Sequence, residues 1–438
     1  MVCLTLKKIH LNKIFLLTCK NLKSYFTLNI SVKQKLLFLL IFFQCFSQNS
    51  EKFERPSNIK SVIFYVDDIQ ASLPILEINQ KLTLKFDDLK ANDEFYYYTV
   101  ERADAEWRKS RLVKSEYIDG YDDIRIKDFE YSYNTIQNYI NYSLELPNSN
   151  TKITKSGNYF LKILNSDREP VLIEKFIVID KKSDFSVKIK RTRNLQLIDT
   201  HHSVEFSFNY AKLKIQRPES QLKFYIIQNN IWKTMTNAGY PTFNNYNKLD
   251  FQYTDERVFE SGNEYHFIDI QDYRIPGGNI YKIFKGETYS AVINYNVLRL
   301  NQNYTYNPDI NGSYLVNTFN GTDSNTEADY IEVLFLLEGN ELINKKEIFI
   351  VGDFNQHKKS KSNMLKYNPT TNFFEGKILL KQGIYNYKYV SNEHENSISG
   401  SFWPTENNYR VIVYLRRQGA ICDEVIAMGY GNSKQIGI

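Results

Sequence analysis

The segment YFLKIL, residues 159–164, follows the turn-forming tripeptide SGN at 156–158. A second run of the same character, EKFIVI, occupies residues 174–179. Both runs are rich in the aromatic and β-branched residues that favour strands, and no helical segment lies between them. This spacing is typical of two strands in a β-sandwich.

The same pattern continues on both sides of this segment. Short runs alternate apolar and polar residues with the period of two that is typical of a half-buried strand, and turn-forming residues separate them. Examples are LTLKF (82–86), YSLEL (142–146), FSVKI (185–189), VEFSF (204–208), IEVLF (331–335) and NYKY (386–389). Since no long amphipathic helix is apparent, we predict an all-β fold of serial immunoglobulin-like or fibronectin-like β-sandwiches.

The length and composition are those of a globular chain with several domains. Its 438 residues suggest roughly two to four domains, and an aromatic share of 15% agrees with a strand-rich fold. Polar stretches at 181–184 and 317–329 have the composition of linkers. We therefore predict a signal peptide followed by three β-sandwich domains, with boundaries at 1–47, 48–182, 183–322 and 323–438.

The N-terminal segment has the organisation of a secretion signal. Lys33 and Lys35 precede the apolar run LLFLLIFF at 36–43, and the small residue Ser47 follows at the expected cleavage site. This run is too short to span a bilayer, which needs about 20 apolar residues, so we expect no transmembrane segment in the mature chain. A lipid-anchored Cys45 is the alternative. The long stretch before the basic region indicates an over-extended start.

Charge and cysteine content exclude two classes of function. The formal net charge is +5, but residues 1–47 contain seven lysines and no acidic residue. Without them, 48 Lys and Arg face 50 Asp and Glu, so no nucleic-acid partner is implied. Only Cys422 lies outside this segment, so the mature chain can form neither an internal disulfide nor a cysteine-based zinc site. We expect Cys422 to act as a buried small hydrophobe.

The residues that could carry catalysis or bind a metal form no recognised motif. His201 and His202 are adjacent, but no further ligands lie at a suitable spacing, so we expect a turn there. Acidic pairs stand where turn-forming Asp residues are expected: Asp67-Asp68, Asp87-Asp88 and Asp122-Asp123. Nucleophile-elbow, phosphate-loop and dinucleotide motifs do not occur. We predict a non-enzymatic protein without catalytic, metal-binding or cofactor-binding residues and without a cofactor.

The aromatic residues leave two interpretations open. Residues 96–98 (YYY), Trp107, Trp232 and Trp403 could stack on sugars or on a protein partner. Packing in cores and across strands is the commoner role of such side chains. The sequence does not identify which residues would contact a partner.

Several dispersed segments resemble one family. They are SEYIDGY (115–121), DFEYSYNT (128–135), ITKSGNY (153–159), DTHH (199–202), GNE (262–264) and TEADY (326–330). These segments resemble the type IX secretion system plug protein family of Bacteroidota, and the resemblance extends over most of residues 55–418. It implies an exported, non-enzymatic protein at the inner face of the outer membrane. In that family, a member can occlude the periplasmic mouth of the very large outer-membrane translocon barrel when the barrel is not engaged by its substrate-shuttle partner.

The third predicted domain has a second likeness. IVGDFN (350–355) and YNYKYV (385–390) are similar to starch- and glycogen-binding immunoglobulin-like modules, although His357 stands where those modules usually carry a tryptophan. A periplasmic or surface glycan-binding protein is therefore the alternative function, and an exposed aromatic platform within residues 330–416 would favour it. A cleft with two facing carboxylates would instead favour a glycoside-active enzyme.

Overall fold

The protein is described by a computed structural model over residues 53–300, 302–319 and 321–434. The predicted signal peptide at 1–47 lies outside the described residues. Within them, strands form most of the regular structure, and the α-helices are two single turns, α1 (Pro218–Gln221) and α2 (Ser324–Glu327). The predicted all-β class is confirmed. No helix in these ranges is long and apolar enough to cross a membrane.

The first β-sandwich is built from the segment that opens the described chain. Its strands are β1 (Ile59–Val66), β2 (Ile69–Gln70), β3 (Ile75–Glu77), β4 (Leu82–Asp88), β5 (Tyr97–Ala103), β6 (Ile118–Gly120), β7 (Ile124–Arg125), β8 (Asp128–Tyr131), β9 (Ile140–Leu146), β10 (Thr151–Ile153), β11 (Gly157–Leu164) and β12 (Pro170–Ile179). One sheet has the order β2-β1-β4-β9-β8 and the other β3-β12-β11-β5-β7, while β6 and β10 pair separately. The runs at 159–164 and 174–179 lie in β11 and β12, which pair antiparallel.

The remaining strands belong to two further sandwiches. In chain order they are β13 (Val187–Arg191), β14 (His201–Asn209), β15 (Leu222–Gln228), β16 (Thr236–Asn237), β17 (Phe243–Asn245), β18 (Lys248–Phe251), β19 (Val258–Glu260), β20 (His266–Asp269), β21 (Ile280–Lys285), β22 (Tyr289–Ile293), β23 (Tyr314–Val316), β24 (Tyr330–Glu338), β25 (Ile348–Val351), β26 (Met364–Asn368), β27 (Phe373–Lys381), β28 (Gly383–Ser391), β29 (Asn408–Leu415) and β30 (Glu424–Asn432).

The second sandwich combines two distant parts of the chain. One sheet has the order β13-β14-β18-β17, with β19 also paired to β14, and the other has the order β16-β15-β29-β30. Strand β15 pairs with β29 from Leu222 opposite Leu415 to Gln228 opposite Tyr409. Aromatic rings fill the core between the sheets, and Phe206 stacks on Phe251 at a centroid distance of 4.4 Å.

This pairing differs from the predicted serial arrangement of domains 183–322 and 323–438. Strands on both sides of that boundary share one sheet and one core. The physical reason is that a period-two pattern shows which face of a strand is buried, but does not show which strand lies beside it. We keep 48–182 as the proposed extent of the N-terminal domain.

The third sandwich is formed by strands β20 to β28. Their order is β20-β28-β25-β26-β27-β24-β22-β21, with β23 also paired to β28. Strand β26 connects the two sides of the shared core, because its first two residues pair with β25 and its last three with β27. The longest pairing joins β24 and β27, from Tyr330 opposite Lys381 to Glu338 opposite Phe373. The core contains an edge-to-face contact of Phe335 with Tyr387 at 4.9 Å.

The third sandwich is inserted into the second at a narrow crossing. The chain leaves the second sandwich at Gly262 and returns at Phe402, whose backbone N–H donates to the Gly262 carbonyl at 2.8 Å. The Gly262 N–H in turn donates to Oγ of Ser401 at 3.0 Å. The two ends of the insertion therefore contact each other, and residues 263–400 form an inserted domain that begins and ends at one point of the second sandwich.

Candidate functional site

The two adjacent histidines begin strand β14, so the predicted turn at this position is wrong. Neighbouring residues on a strand point to opposite faces, so the two rings diverge. His202 is buried, with Nδ1 3.0 Å from the Tyr409 hydroxyl and Nε2 2.6 Å from the Trp403 carbonyl. Burial lowers the pKa of His202 to about 4, which leaves the ring neutral near pH 7. Its role is structural.

Two of the three acidic pairs lie in turns, as predicted. Asp67 and Asp68 connect β1 to β2 with φ angles of 47° and 66°, and Asp123 has a φ of 67°. The prediction for Asp87 and Asp88 is wrong, because both residues end strand β4 and are fully buried. Buried carboxylates need partners, and those of Asp87 come from distant parts of the chain.

Asp87 is the polar centre of the contact between the first and third sandwiches. It accepts hydrogen bonds at 2.7 Å from the Lys381 ammonium, from the Tyr330 hydroxyl and from Nδ2 of Asn141. The Lys381 and Asp87 side chains are only 2% and 0% exposed. Lys381 also lies 4.0 Å from the ring centroid of Tyr139. Burial lowers the pKa of Lys381, and the Asp87 carboxylate opposes that shift.

Three carboxylates meet at the contact between the first and second sandwiches, where they could suggest a metal site. Oxygen atoms of Asp104, Glu106 and Asp423 lie within 4.8 Å of one another. Each carboxylate has a basic partner: Arg108 to Asp104 at 2.8 Å, Lys223 to Glu106 at 2.5 Å and Arg416 to Asp423 at 2.6 Å. Since their charge is already balanced, the arrangement is an ion-pair network that joins the two sandwiches.

The tryptophans pack against other side chains. Trp107 and Trp232 meet edge-to-face at 5.0 Å, and both are half-buried against the apolar cluster between the first and second sandwiches. The Lys175 ammonium lies 4.5 Å from the Trp107 ring centroid. Trp403 is half-buried, and the Arg191 guanidinium lies 4.8 Å from the centroid of its ring. These contacts agree with the packing interpretation of the aromatic residues.

Residues 330–416 do not present the exposed aromatic platform that would favour glycan binding. His357 is 5% exposed and lies edge-on to Tyr265 at a centroid distance of 6.2 Å. Within residues 330–416, all of which the structure describes, every aromatic side chain is buried or half-buried. Sugar stacking requires an exposed aromatic face. Within residues 330–416, the likeness to glycogen-binding modules therefore extends to short sequence motifs and not to an exposed aromatic platform.

Exposed tyrosines occur in all three sandwiches, and sequence reasoning missed them. Those of the first sandwich, which we call the first-domain tyrosines, are Tyr121, Tyr131 and Tyr133. Tyr131 ends β8, the outermost strand of its sheet, and Tyr133 follows it. The side chain of Tyr246 in the second sandwich is 96% exposed. Tyrosine is enriched at the centres of protein interfaces, so these residues are candidate partner contacts.

A cavity of about 150 Å³ lies where the third sandwich joins the second, and we call it the junction cavity. Its walls come from the end of β15, from residues 260–265, from β28 and from the returning segment 395–407. Five carboxylates line it: Glu260, Glu264, Asp309, Glu395 and Glu406. Burial raises the pKa of Glu264 to about 7 and also raises the pKa of Asp309 above the ordinary value of an aspartate.

Glu264 makes the stability of the protein depend on pH. Its pKa is higher in the folded state than in the unfolded chain, so the folded state is favoured at low pH and loses stability as pH rises from about 4.5 to about 7. The loss amounts to about 3 kcal/mol at most. The groups that influence this carboxyl are Tyr304, Asp309, Glu406 and Lys434.

We expect urea denaturation at pH 5 and pH 8 to show this loss as a difference between the wild type and Glu264→Gln. The glutamine variant should gain stability relative to the wild type as the pH rises, because it has no proton to release. A stability difference between the two proteins that does not change with pH would contradict the assignment.

Comparison with known proteins agrees with the fold and with one family. Residues 59–180 match the family model for the Type 9 secretion system plug protein 1st domain. The chain is also similar to the crystal structure of a hypothetical protein from Parabacteroides merdae ATCC 43184, with a TM-score of 0.81 and 26% identity over 86% of this chain and 98% of that one. No curated protein matches the sequence significantly. The match of residues 59–180 to this family model confirms the resemblance seen in the sequence for that part of the chain.

Proposed function

We propose that this chain is a non-enzymatic periplasmic plug that occludes the outer-membrane translocon barrel of the type IX secretion system by protein–protein contact. The observation that carries the proposal is the match of residues 59–180 to the plug protein first domain, which suggests a role in type IX secretion. The proposed location is the inner face of the outer membrane, reached by export through the segment 1–47.

The construction of the molecule supports this role. A buried ion pair of Asp87 and Lys381 joins the first sandwich to the third. An ion-pair network of Asp104, Glu106 and Asp423 with their basic partners, in which only Asp423 is buried, joins the first sandwich to the second. A body held in this way can block an opening without a conformational change. A stable seal needs an interface of at least about 1,000 Å², and exposed tyrosines can supply its anchoring contacts.

The experiment that tests the proposal is an affinity purification of the tagged protein from its own membranes, with identification of the co-purifying proteins. Recovery of the giant translocon barrel, above all when its substrate-shuttle partner is absent, supports the plug. Failure to recover the barrel in any loading state would contradict it. A parallel α-glucan column tests the glycan-binding alternative directly.

We expect the triple variant Tyr121→Ala, Tyr131→Ala, Tyr133→Ala to recover at least about tenfold less barrel than the wild type. The first-domain tyrosines lie in the family-matched domain, and truncating an interface anchor costs about 2 kcal/mol or more. Tyr246→Ala is the control, because it removes an even more exposed tyrosine, which lies in the second sandwich. Equal recovery by both variants, with unchanged thermal stability, would place the contact elsewhere.

A further inference from the structure

One end of the second sandwich carries exposed aromatic side chains on a short, well-defined support. Strands β17 and β18 form a hairpin with the two-residue turn Tyr246-Asn247. Tyr246 is 96% exposed, and Phe243 on β17 is 51% exposed. Because a two-residue turn has a closely defined backbone, these rings project from the sandwich as a consequence of the fold.

The segment 210–217 lies directly beside this hairpin. At its start, the backbone N–H of Tyr210 donates to the Asn247 carbonyl at 2.9 Å. Just beyond its end, Glu219 accepts from Nδ2 of Asn244 at 3.0 Å. The segment is therefore held against the hairpin at both ends.

The side chains of this segment make the end of the sandwich basic. Lys212, Lys214 and Arg217 are exposed. None of these three cations forms an ion pair within the part of the chain that the structure describes. Three cations against the single carboxylate of Glu219 give residues 210–219 a balance of +2. We call this end of the sandwich the hairpin surface, and its residues are Lys212, Lys214, Arg217, Phe243 and Tyr246.

The strands beside the hairpin surface do not compensate its charge. The carboxylates of β14 and β18 both have lysine partners: Glu205 pairs with Lys190 at 2.5 Å, and Asp250 pairs with Lys248 at 2.8 Å. Strand β17 has no acidic residue. The positive charge of the hairpin surface is therefore available to a partner.

We propose that the hairpin surface docks on a bilayer that contains anionic phospholipids. Lysine and arginine side chains close to such a bilayer are attracted to its negative surface. Aromatic rings, tyrosine above all, concentrate at the boundary between headgroups and acyl chains. The hairpin surface offers both kinds of side chain together, so it complements the bilayer in charge and in polarity.

The shape of the hairpin surface favours a bilayer over a folded acidic protein. A stable interface between folded proteins buries about 800 Å² on each partner, with closely matched shapes. Tyr246 lies at the tip of a projecting turn and would need a matching pocket in such a partner. Phospholipid headgroups instead separate around an inserted side chain.

This inference goes beyond the proposed function, because it concerns a phospholipid surface and not the translocon barrel. Its residues belong to the second sandwich, whereas the first-domain tyrosines belong to the first. Detergent replaces the bilayer during extraction of the barrel, so Tyr246→Ala should still recover the barrel. The barrel test and the vesicle test can therefore fail independently of each other.

The test is co-sedimentation of the chain from residue 48 onward with vesicles of phosphatidylglycerol and phosphatidylethanolamine. The predicted signal peptide is omitted, because its apolar run at 36–43 would bind vesicles by itself. We expect binding at low salt that is lost at about 0.5 M sodium chloride, where screening reduces the Debye length to about 4 Å. Vesicles of phosphatidylcholine alone should bind little protein.

A charge-reversal variant locates the contact. Lys212→Glu combined with Lys214→Glu should weaken vesicle binding by at least about tenfold, since each basic residue near an anionic surface adds to the attraction. Lys152→Glu combined with Lys155→Glu is the matched control, because it reverses two exposed lysines of the first sandwich that also have no ion pair among the described residues. Equal loss of binding in the two double variants would overturn the proposal.

A fluorescence measurement distinguishes insertion of the hairpin from loose electrostatic attraction. Tyr246→Trp places an indole at the tip of the hairpin, whereas the native Trp107, Trp232 and Trp403 are half-buried. Vesicles with brominated acyl chains should quench this variant more strongly than the parent chain. Absence of vesicle binding, absence of the additional quenching, or equally tight binding to soluble polyglutamate, which would indicate an acidic protein partner, would overturn the proposal.

Discussion

Replacing Lys381 with methionine is expected to destabilise the protein by about 3–5 kcal/mol, the cost of removing one partner from a buried ion pair. The substitution leaves Asp87 fully buried, with only the neutral donors Tyr330 and Asn141. It also removes the bond from the Lys381 ammonium to the Asn325 carbonyl at 2.7 Å. The loss should be visible in urea denaturation as a lower midpoint and, because the pair joins two sandwiches, as earlier separation of the third from the first.

The same strand provides a matched control. Lys377 also lies on β27 and pairs with Glu332 at 2.6 Å, but this pair is exposed. Exposed ion pairs contribute about 0–1 kcal/mol, so Lys377→Met should change stability little. The double variant Lys381→Met, Asp87→Asn should recover part of the loss, because it removes both buried charges. Equal destabilisation by the two methionine variants would show that burial of the Asp87–Lys381 ion pair is not the cause of the lost stability.

A fragment consisting of residues 183–322 is expected not to fold, although the sequence predicts it to be a domain. It lacks β29 and β30, so β15 loses its longer pairing and keeps only the two-residue strand β16. The core loses Tyr409, Val411, Val413, Leu415 and Ile426. Loss of several buried side chains at about 2–5 kcal/mol each exceeds the stability of an ordinary domain. Circular dichroism should show no cooperative urea transition.

A chain that keeps both parts of the second sandwich and omits the inserted third sandwich should fold. Joining 183–262 directly to 401–434 through a short Gly-Ser linker restores both sheets of the second sandwich, and the contact between Gly262 and Phe402 shows that a few residues can bridge the ends. A cooperative transition for this chain, together with its absence for 183–322, is the expected pair of results. The reverse pair would restore the serial arrangement of domains.

The features that can be predicted from the sequence are those that depend on the local pattern of residues. Enrichment in aromatic and β-branched residues at 159–164 and 174–179 is sufficient to predict strands. The turn pair Asp67-Asp68 is recognisable because positive φ angles favour particular residues. The resemblance to the plug protein family also rests on local strings, and residues 59–180 bear it out. These features need no knowledge of which distant segments meet.

The rest depends on contacts between distant residues. Asp87 is of a residue type that is common in turns, and the sequence around it therefore predicts a turn. Its partner Lys381, which neutralises its charge, lies 294 positions away. The junction cavity collects residues from 228 to 407, and no spacing within any one segment indicates it. The one sequence signal near it was GNE at 262–264, which belongs to the family resemblance and lines the cavity. The position of these three residues in the cavity wall follows only from the structure.

The inserted third sandwich sets an order of assembly during synthesis. The first sandwich is complete once β12 has emerged, and residues 263–400 can fold as a separate body after that. The second sandwich cannot be completed until β29 and β30 have been synthesised, and until then the edge of β15 that pairs with β29 stays free. Such long-range pairing is slow and exposes strand edges that aggregate. The middle of this protein is thus its last part to fold, and the step at which a chaperone would have most effect.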